Sequence, residues 1–155
     1  MNVRRLDADD RNWLRERLHE DWGDEAMAGH GELFFPPEHD GFVAGDRAGV
    51  VTYRFSGDGC EITLIVSYEP GRGIGTALLE AVIAEARASG CRRLWLVTTN
   101  DNEHAQRWYR ARGFSVTEER AVAVDVARRT LKPTIPVVGQ GGVPISDEVE
   151  LSLEL

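Results

Sequence analysis

The sequence predicts an α/β (α+β) fold, and two patterns along the chain support that prediction. Residues 41–67 hold three apolar runs separated by two turn signals, which is typical of an antiparallel meander of three strands. Residues 60–119 then alternate apolar runs of strand length with stretches of helical periodicity. A chain of 155 residues suffices for one hydrophobic core, so we expect residues 1–155 to form a single domain.

The first forty residues contain one strand and one helix by pattern. Residues 3–6 fit a short strand, and Asp9 or Asp10 is expected to cap the helix that follows. One face of this helix carries apolar residues at four-residue spacing and is expected to be buried: Leu14, Leu18 and Trp22. Glycine, histidine and proline interrupt any periodicity from 23 to 40, so we expect a loop there.

From residue 41 onward the strand and turn signals are stronger. A tight turn at 46–49 joins the first two strands of the meander, and a turn at 56–59 leads into the third. The later elements are expected in this order: a helix to about Ser89 ended by Gly90, a strand at 91–100, a helix at 101–112, a strand at 114–119, a short helix at 122–131 and a final strand at 147–155. The segment 121–146 before the last strand is unusually long for a connection.

Composition excludes several classes of function. The chain has 26 acidic and 18 basic residues and a net charge of -8, which disfavours nucleic acid as a partner because phosphates need a basic surface. No stretch approaches the ~18 apolar residues that span a membrane, so we expect no membrane segment. Cys60 and Cys91 are too few for a disulfide framework, which favours a reducing, cytoplasmic location. The four histidines show no ligand spacing, so we expect no metal site.

A glycine-rich stretch, YEPGRGIGTALL at 68–79, lies between an expected strand and an expected helix. A turn of this kind collects backbone N–H groups at a helix N-terminus and so provides an anion site by geometry. It is not a dinucleotide fingerprint, because the position of the third glycine holds Thr76 or Leu78, and it is not a P-loop, because it has no lysine. On these residues alone, a flexible loop and an unrelated phosphate or nucleotide binder both stay open.

A second motif follows on a later expected helix, in the pattern NxxAxxxYxxxGF that begins at Asn102 and ends at Phe114. Together with the glycine-rich turn, this pattern resembles the GNAT superfamily of acetyl-CoA-dependent N-acetyltransferases, and the order of elements agrees over residues 60–114. The resemblance implies a mixed, mostly antiparallel central sheet flanked by helices, with parted central strands that hold acetyl-CoA. Pro70 departs from the family pattern, in which glutamine or arginine is usual at the start of the turn.

The resemblance places the parts of a bound acetyl-CoA on this sequence. The pantetheine arm is expected between the strands at 60–67 and 92–99, with backbone N–H groups near the end of the first strand polarising the thioester carbonyl. The pyrophosphate is expected on the backbone of the glycine-rich turn. The residues implied in cofactor binding are Ile65, Val66, Ser67, Arg72, Gly73, Ile74, Gly75, Thr76 and Asn102.

Two residues are implied in catalysis. In the family, the tyrosine of the second motif protonates the departing thiolate, so Tyr109 is the expected general acid. Many members carry a glutamate on the strand before the turn that takes the proton of the amine, often through water, and Glu61 is in that position. From the residues alone, Tyr109 could instead pack its helix on the sheet with Trp108, and Glu61 could be an exposed charge at a strand end.

These implications lead to one expected function and one alternative. We expect the protein to transfer the acetyl group of acetyl-CoA to a primary amine of a small molecule or peptide by direct attack. The alternative is a module of the same fold that senses acyl-CoA without turnover. The family shapes its acceptor pocket in the region 23–40, and the segment 121–146 is expected to cover the acceptor mouth, to mediate a homodimer, or to form a flap packed away from the cleft.

Overall fold

The computed structural model describes residues 2–155. These residues form nine strands: β1 Val3–Arg5, β2 Met27–Gly29, β3 Glu32–Phe34, β4 Asp40–Ala44, β5 Gly49–Ser56, β6 Gly59–Ser67, β7 Arg93–Thr99, β8 Ser115–Arg120 and β9 Glu148–Glu154. They also form four α-helices: α1 Ala8–Trp22, α2 Ile74–Ala88, α3 Glu103–Arg110 and α4 Ala123–Thr130. Within this part of the chain, no helix is long and apolar enough to cross a lipid bilayer.

Seven of the strands form one sheet in the order β1-β4-β5-β6-β7-β9-β8, while β2 and β3 form a separate hairpin. The ladders β1/β4, β4/β5, β5/β6 and β8/β9 are all antiparallel. Helices α2 and α3 follow β6 and β7, as the sequence predicts. The predicted fold class, a mixed α/β fold on a mostly antiparallel sheet flanked by helices, is therefore confirmed, and the parting of the central strands stays a prediction.

The chain divides into two compact units, of which the first contains the residues up to Glu25, Phe35–Leu94 and Leu155. Its core consists of apolar side chains from α1, the meander and α2, each at most 1% exposed: Leu14, Leu18, Val43, Val50, Val51, Leu78 and Val82. Gly49 lies where α2 approaches β5, because a Cβ there would stand 2.4 Å from Ile74 Cγ2. A larger residue at this position would push α2 away from the meander.

Helix α1 begins earlier than the sequence pattern predicts. Its N-cap is Asp7, which exchanges hydrogen bonds with Asp10 in a capping box, so the predicted cap at one of the next two aspartates was wrong. Asp10 is fully buried and is bound by Arg4 and Arg47; the hydrogen bonds from Arg4 above all hold the pKa of this carboxyl well below its usual range. Trp22, predicted on the buried face, was wrongly placed there: it is the last residue of the helix and is 53% exposed.

The second unit contains Ala26–Phe34 and Trp95–Glu154. Its buried apolar side chains come from β7, α3, α4 and β9 and from the connections between them: Leu96, Tyr109, Phe114, Val124, Ile145, Val149 and Leu151. All of these residues except Ile145 lie on elements that the sequence predicts. The second half of the chain therefore has apolar packing of its own.

The region 23–40, expected to be a loop, contains the hairpin of β2 and β3. Both residues of its turn have positive φ, His30 at 52° and Gly31 at 79°, as in the type I′ turn that suits a two-residue hairpin. Strands of three residues are too short to show alternation, so the sequence pattern missed them. The hairpin places His30 at a fixed position in the second unit.

The segment 121–146 is held together by one arginine of α4. The side chain of Arg128 donates hydrogen bonds of 2.7–2.9 Å to the Asp125 carboxylate and to the carbonyl groups of Ile135, Pro136 and Ile145. Arginine can satisfy several carbonyl groups at once because its guanidinium carries five N–H donors. The part of the segment that follows α4 is thereby tied to the helix.

We expect Arg128→Ala to lower the free energy of unfolding by about 2 kcal/mol or more, because even one hydrogen bond from a charged donor contributes about 1.5–3 kcal/mol and several are lost. Urea denaturation measures the change. Arg129→Ala is the matched control, since Arg129 is exposed on the same helix and its loss should cost no more than about 0.5 kcal/mol. Equal stability of the two variants would show that Arg128 does not hold the segment.

Candidate active site

The glycine-rich turn leads into a start of α2 that has no side-chain cap. Gly73 is the N-cap residue with φ of 71°, and no acidic residue lies in the first turn. A Cβ built at Gly73 or at Gly71 would have no atom within 4 Å, so the space in front of both is open. The first N–H groups of a helix have no intrahelical acceptor, and together with the helix dipole they favour an anion. This start of α2 therefore fits a phosphate group.

Arg72 lies in the same turn with an exposed side chain. Its guanidinium forms an ion pair with Glu69, three residues earlier. An exposed pair of this type contributes only about 0–1 kcal/mol. Arg72 could therefore exchange Glu69 for a phosphate at little cost, and its role in binding the cofactor stays a prediction.

The end of β6 carries the residues expected beside the thioester. Ile65 and Val66 are half-buried, and Ser67 is exposed. Their partners on β5, in the same order, are Val51, Val50 and Gly49. Along an antiparallel strand, successive N–H groups point alternately to the two sides. Some of the N–H groups in this stretch therefore point away from β5. A ligand that hydrogen-bonds to the other side of β6 would need donors that point in this direction.

Glu61 is only 3% exposed, so it is not an exposed charge at a strand end. Its partner across the β5/β6 ladder is Arg54, whose Nε donates to Oε1 of Glu61 at 2.8 Å. A hydrogen bond from a charged donor stabilises the carboxylate form. This bond fixes the position of the Glu61 carboxylate on β6.

A chain of hydrogen bonds lies next along the same strand. Thr63 is two residues beyond Glu61, at the point where the β5/β6 register shifts between Thr52 and Tyr53, so it has no residue directly opposite on β5. Its hydroxyl is 2.9 Å from Nδ1 of His39 and 2.7 Å from the hydroxyl of Thr52. Burial above all, and then the charge of Arg54, lower the pKa of His39, so its imidazole is neutral at neutral pH. No sequence pattern indicated this contact.

Tyr109 lies in α3 and is 5% exposed. Its ring packs edge-on against Trp108 and Phe114, with centroid distances of 5.0 and 5.2 Å. Burial raises the pKa of the Tyr109 phenol. The hydroxyl therefore keeps its proton at neutral and mildly alkaline pH, which is required of a proton donor. The packing role and the role as a donor are compatible in this structure.

Asn102 is the N-cap of α3. Its Oδ1 accepts a hydrogen bond from the backbone N–H of Ala105 at 3.3 Å, and its Nδ2 donates to the hydroxyl of Thr98 at 3.3 Å. The side chain of Gln140 donates to the same Oδ1 at 3.3 Å. These contacts assign Asn102 to helix capping, and its contact with a cofactor stays a prediction.

Two neighbouring residues attach the segment 121–146 to the start of α3, and no motif marked them in the sequence. Oδ1 of Asn100 accepts the backbone N–H of Ser146, at the end of the segment, and that of the next residue, Asp147, both at 3.0 Å. Asp101 is buried and accepts a third backbone N–H at 3.1 Å. The segment is therefore fixed to the helix that carries Tyr109.

The predicted site residues fall in both units. Glu61 and the cofactor residues from Ile65 to Thr76 lie in the first unit, whereas Asn102 and Tyr109 lie in the second. Across residues 2–155, no group of three or more His, Cys, Asp or Glu side chains has the arrangement of a metal site.

Comparison with known proteins relates the chain to one family. The acetyltransferase (GNAT) family matches residues 3–114. The uncharacterized protein YdhI of Bacillus subtilis (strain 168) is 42% identical over 135 residues, which is 84% of each protein. A GNAT family acetyltransferase from Elizabethkingia anophelis, solved with acetyl-CoA bound, is 18% identical with a TM-score of 0.69 over 99% of this chain and 97% of the other. An acetyltransferase of Bacillus subtilis in complex with CoA is 20% identical with a TM-score of 0.69 over 99% and 98%.

Proposed function

Because the chain belongs to the GNAT family of acetyltransferases, we propose that it transfers the acetyl group of acetyl-CoA to a primary amine of a small molecule or peptide. The start of α2 supports cofactor binding most directly, since it has a positive-φ glycine, no side-chain cap and open space in front. The two related structures hold acetyl-CoA and CoA, which agrees with acetyl-CoA as the co-substrate.

The proposed reaction is a direct attack of the neutral amine on the thioester. The amine nitrogen forms a C–N bond to the acetyl carbon while the C–S bond breaks. The amine loses a proton, and the sulfur gains one. Backbone N–H groups near Ile65 to Ser67 stabilise the negative charge on the carbonyl oxygen, and donors of this kind contribute roughly 3–4 kcal/mol.

Tyr109 supplies the proton to the sulfur in this proposal. With unperturbed pKa values of about 10 for tyrosine and about 8.5 for a thiol, the transfer is uphill by about 2 kcal/mol. Burial raises the pKa of Tyr109 and so increases this barrier. The proton must therefore move together with cleavage of the C–S bond, and Tyr109 recovers a proton from solvent afterwards.

Two measurements on the purified protein test the proposal. Acetyl-CoA at ~100 times its Kd should add about 2.7 kcal/mol to the free energy of unfolding, which a thermal shift detects. Amine-dependent release of free CoA, read with a thiol reagent over a panel of amines, tests the transfer. A thermal shift without CoA release supports the acyl-CoA sensor instead, and the absence of any shift contradicts both functions.

We propose that Glu61 accepts the proton of the amine through a water molecule. Glu61→Gln should then reduce kcat/KM by about 100-fold, chiefly below the pKa of the amine, where deprotonation limits the rate. A pH profile with an acceptor found in the panel measures the effect, and the Kd of acetyl-CoA should stay unchanged.

Glu16→Gln is the control for the lost charge, since Glu16 is exposed on α1. A loss of equal size at every pH would assign Glu61 a positioning role through its bond to Arg54. If kcat/KM of Glu61→Gln equals that of the wild type at every pH, Glu61 is not the general base, and His39 is the next residue to test.

A further inference from the structure

A pocket of about 650 Å³ opens in the second unit, apart from the residues implied in acetyl-CoA binding. Its walls come from the turn of the β2/β3 hairpin, from β8 and β9, and from α4. This volume is typical of sites for small organic ligands. Because α4 belongs to the segment 121–146, that segment forms one side of a ligand-sized space.

The wall formed by α4 is mainly apolar. The helix contributes Ala123, Val126 and Ala127 together with the polar Thr130, and Leu131 follows directly after it. Val126 is 46% exposed although it is aliphatic. Methylene groups of a ligand would gain from burial against this wall.

The strands contribute charged groups to the same pocket. Glu118 and Glu148 line it together with Arg120. Nη1 of Arg120 is 3.0 Å from Glu118 and 3.4 Å from Glu150, while Nε is 3.8 Å from Glu148. Nε and Nη2 of Arg120 are shielded from solvent and make no hydrogen bond. A single guanidinium is therefore shared among three carboxylates.

The charge of this wall favours a cationic ligand. Glu148 is 6% exposed and accepts the backbone N–H of His30 at 3.0 Å, but Arg120 stays beyond hydrogen-bond distance from it. A buried carboxylate is costly unless a cation or several donors compensate it. An anionic ligand would face Glu118 and Glu148 directly. Since these side chains do not form a metal site among residues 2–155, an organic cation is the indicated ligand.

His30 connects this pocket to β7. Its ring lies 5.3 Å from the ring of Trp95, measured between centroids. The proposed function places the thioester beside residues 92–99, which include Trp95. His30 therefore lines the pocket and also contacts a side chain of β7.

We propose that this pocket binds a cationic group of the acceptor and that the acceptor is a diamine or polyamine, an inference that rests on the acetyl transfer proposed above. One ammonium group contacts Glu118 and Glu148, the methylene groups lie on α4, and the second amine takes the acetyl group after losing its proton. A ligand with only one amino group could not serve both purposes. An ammonium held by two carboxylates retains its proton and does not attack the thioester.

Three amines with the same six-carbon chain test this inference, because they differ only at the end far from the reacting amine. 1,6-Diaminohexane has a positive end, hexylamine a neutral end and 6-aminohexanoate a negative end. We expect kcat/KM to fall in that order by about tenfold or more at each step, at fixed pH and ionic strength. Equal values for the three amines would overturn the inference.

Val126 provides a matched pair of variants, because it lines the pocket and is partly exposed. Val126→Lys and Val126→Glu should fold alike and differ only in the sign of the added charge. Val126→Lys should lower kcat/KM for 1,6-diaminohexane by about tenfold and raise it for 6-aminohexanoate, whereas Val126→Glu should not lower it for 1,6-diaminohexane. Ala84→Lys is the control, since it adds the same charge at an exposed position of α2.

Calorimetry with the same amines, with and without CoA, separates this inference from the proposed function. If no amine is acetylated but 1,6-diaminohexane binds and Val126→Lys weakens this binding, the pocket assignment is supported and the proposed transfer is wrong. If the amines are acetylated but neither the far-end charge nor the Val126 variants change kcat/KM, the pocket assignment falls and the transfer stands. If 1,6-diaminohexane neither binds nor reacts, the pocket assignment is wrong.

Discussion

Gly73→Asn is expected to weaken acetyl-CoA binding by about 100-fold or more while the protein stays folded. Gly73 has a φ of 71° and open space in front, and asparagine tolerates this backbone conformation better than other residues with a side chain. The added side chain would stand where the pyrophosphate is expected and cap the helix in its place. Loss of two hydrogen bonds to a charged ligand, at about 1.5–3 kcal/mol each, corresponds to a factor of about 100 or more.

Gly90→Asn is the matched control for this change. Gly90 also adopts the left-handed conformation, with φ of 79°, and a Cβ built there would have no atom within 4 Å. It differs from Gly73 in lying just after the other end of α2. Both variants should unfold at nearly the same urea concentration, and only Gly73→Asn should lose affinity in calorimetry. If Gly73→Asn binds acetyl-CoA with unchanged affinity, the pyrophosphate does not bind at the start of α2.

Tyr109→Phe is expected to lower kcat by about 100-fold with little change in the Kd of acetyl-CoA. The substitution keeps the ring contacts with Trp108 and Phe114 and removes only the hydroxyl that donates the proton. Steady-state kinetics measures the effect once an acceptor is known. Because burial raises the pKa of Tyr109, the wild-type enzyme should also not lose kcat through deprotonation of this residue below about pH 10.

Tyr53→Phe is the control for losing a buried tyrosine hydroxyl. Tyr53 is 1% exposed, its hydroxyl accepts a hydrogen bond from Arg5 at 3.3 Å, and burial raises its pKa as well. Tyr53→Phe should lower the free energy of unfolding and leave kcat close to the wild-type value. If Tyr109→Phe has the same kcat as Tyr53→Phe, Tyr109 is a packing residue.

Local patterns predicted most of the elements, because periodicity and turn residues act within a few positions of each other. The meander, α2, β7, α3, β8, α4 and β9 all lie where the sequence places them. The errors are local too. The cap of α1 lies at Asp7 because its capping box pairs two aspartates, of which the later one resembled the cap. The β2/β3 hairpin was missed because three residues are too few to show a period.

The sequence by itself also determined the part of the site that is made of backbone. Glycine is the residue that adopts positive φ without strain, so its place between a strand and a helix predicts the uncapped start of α2 directly. The second motif likewise placed Tyr109 on one helix with Asn102 at its cap. Both features depend only on residues close together in the chain.

Only the tertiary structure decided what surrounds the side chains. The bond between Arg54 and Glu61 follows from the register of β5 on β6, and a slip of one strand by one residue would turn the side chains of that strand to the other face. The pocket brings together a hairpin turn near residue 30, α4 and β9, which are far apart in the chain. Burial and charge at such places are set by distant segments, so no local pattern encodes them.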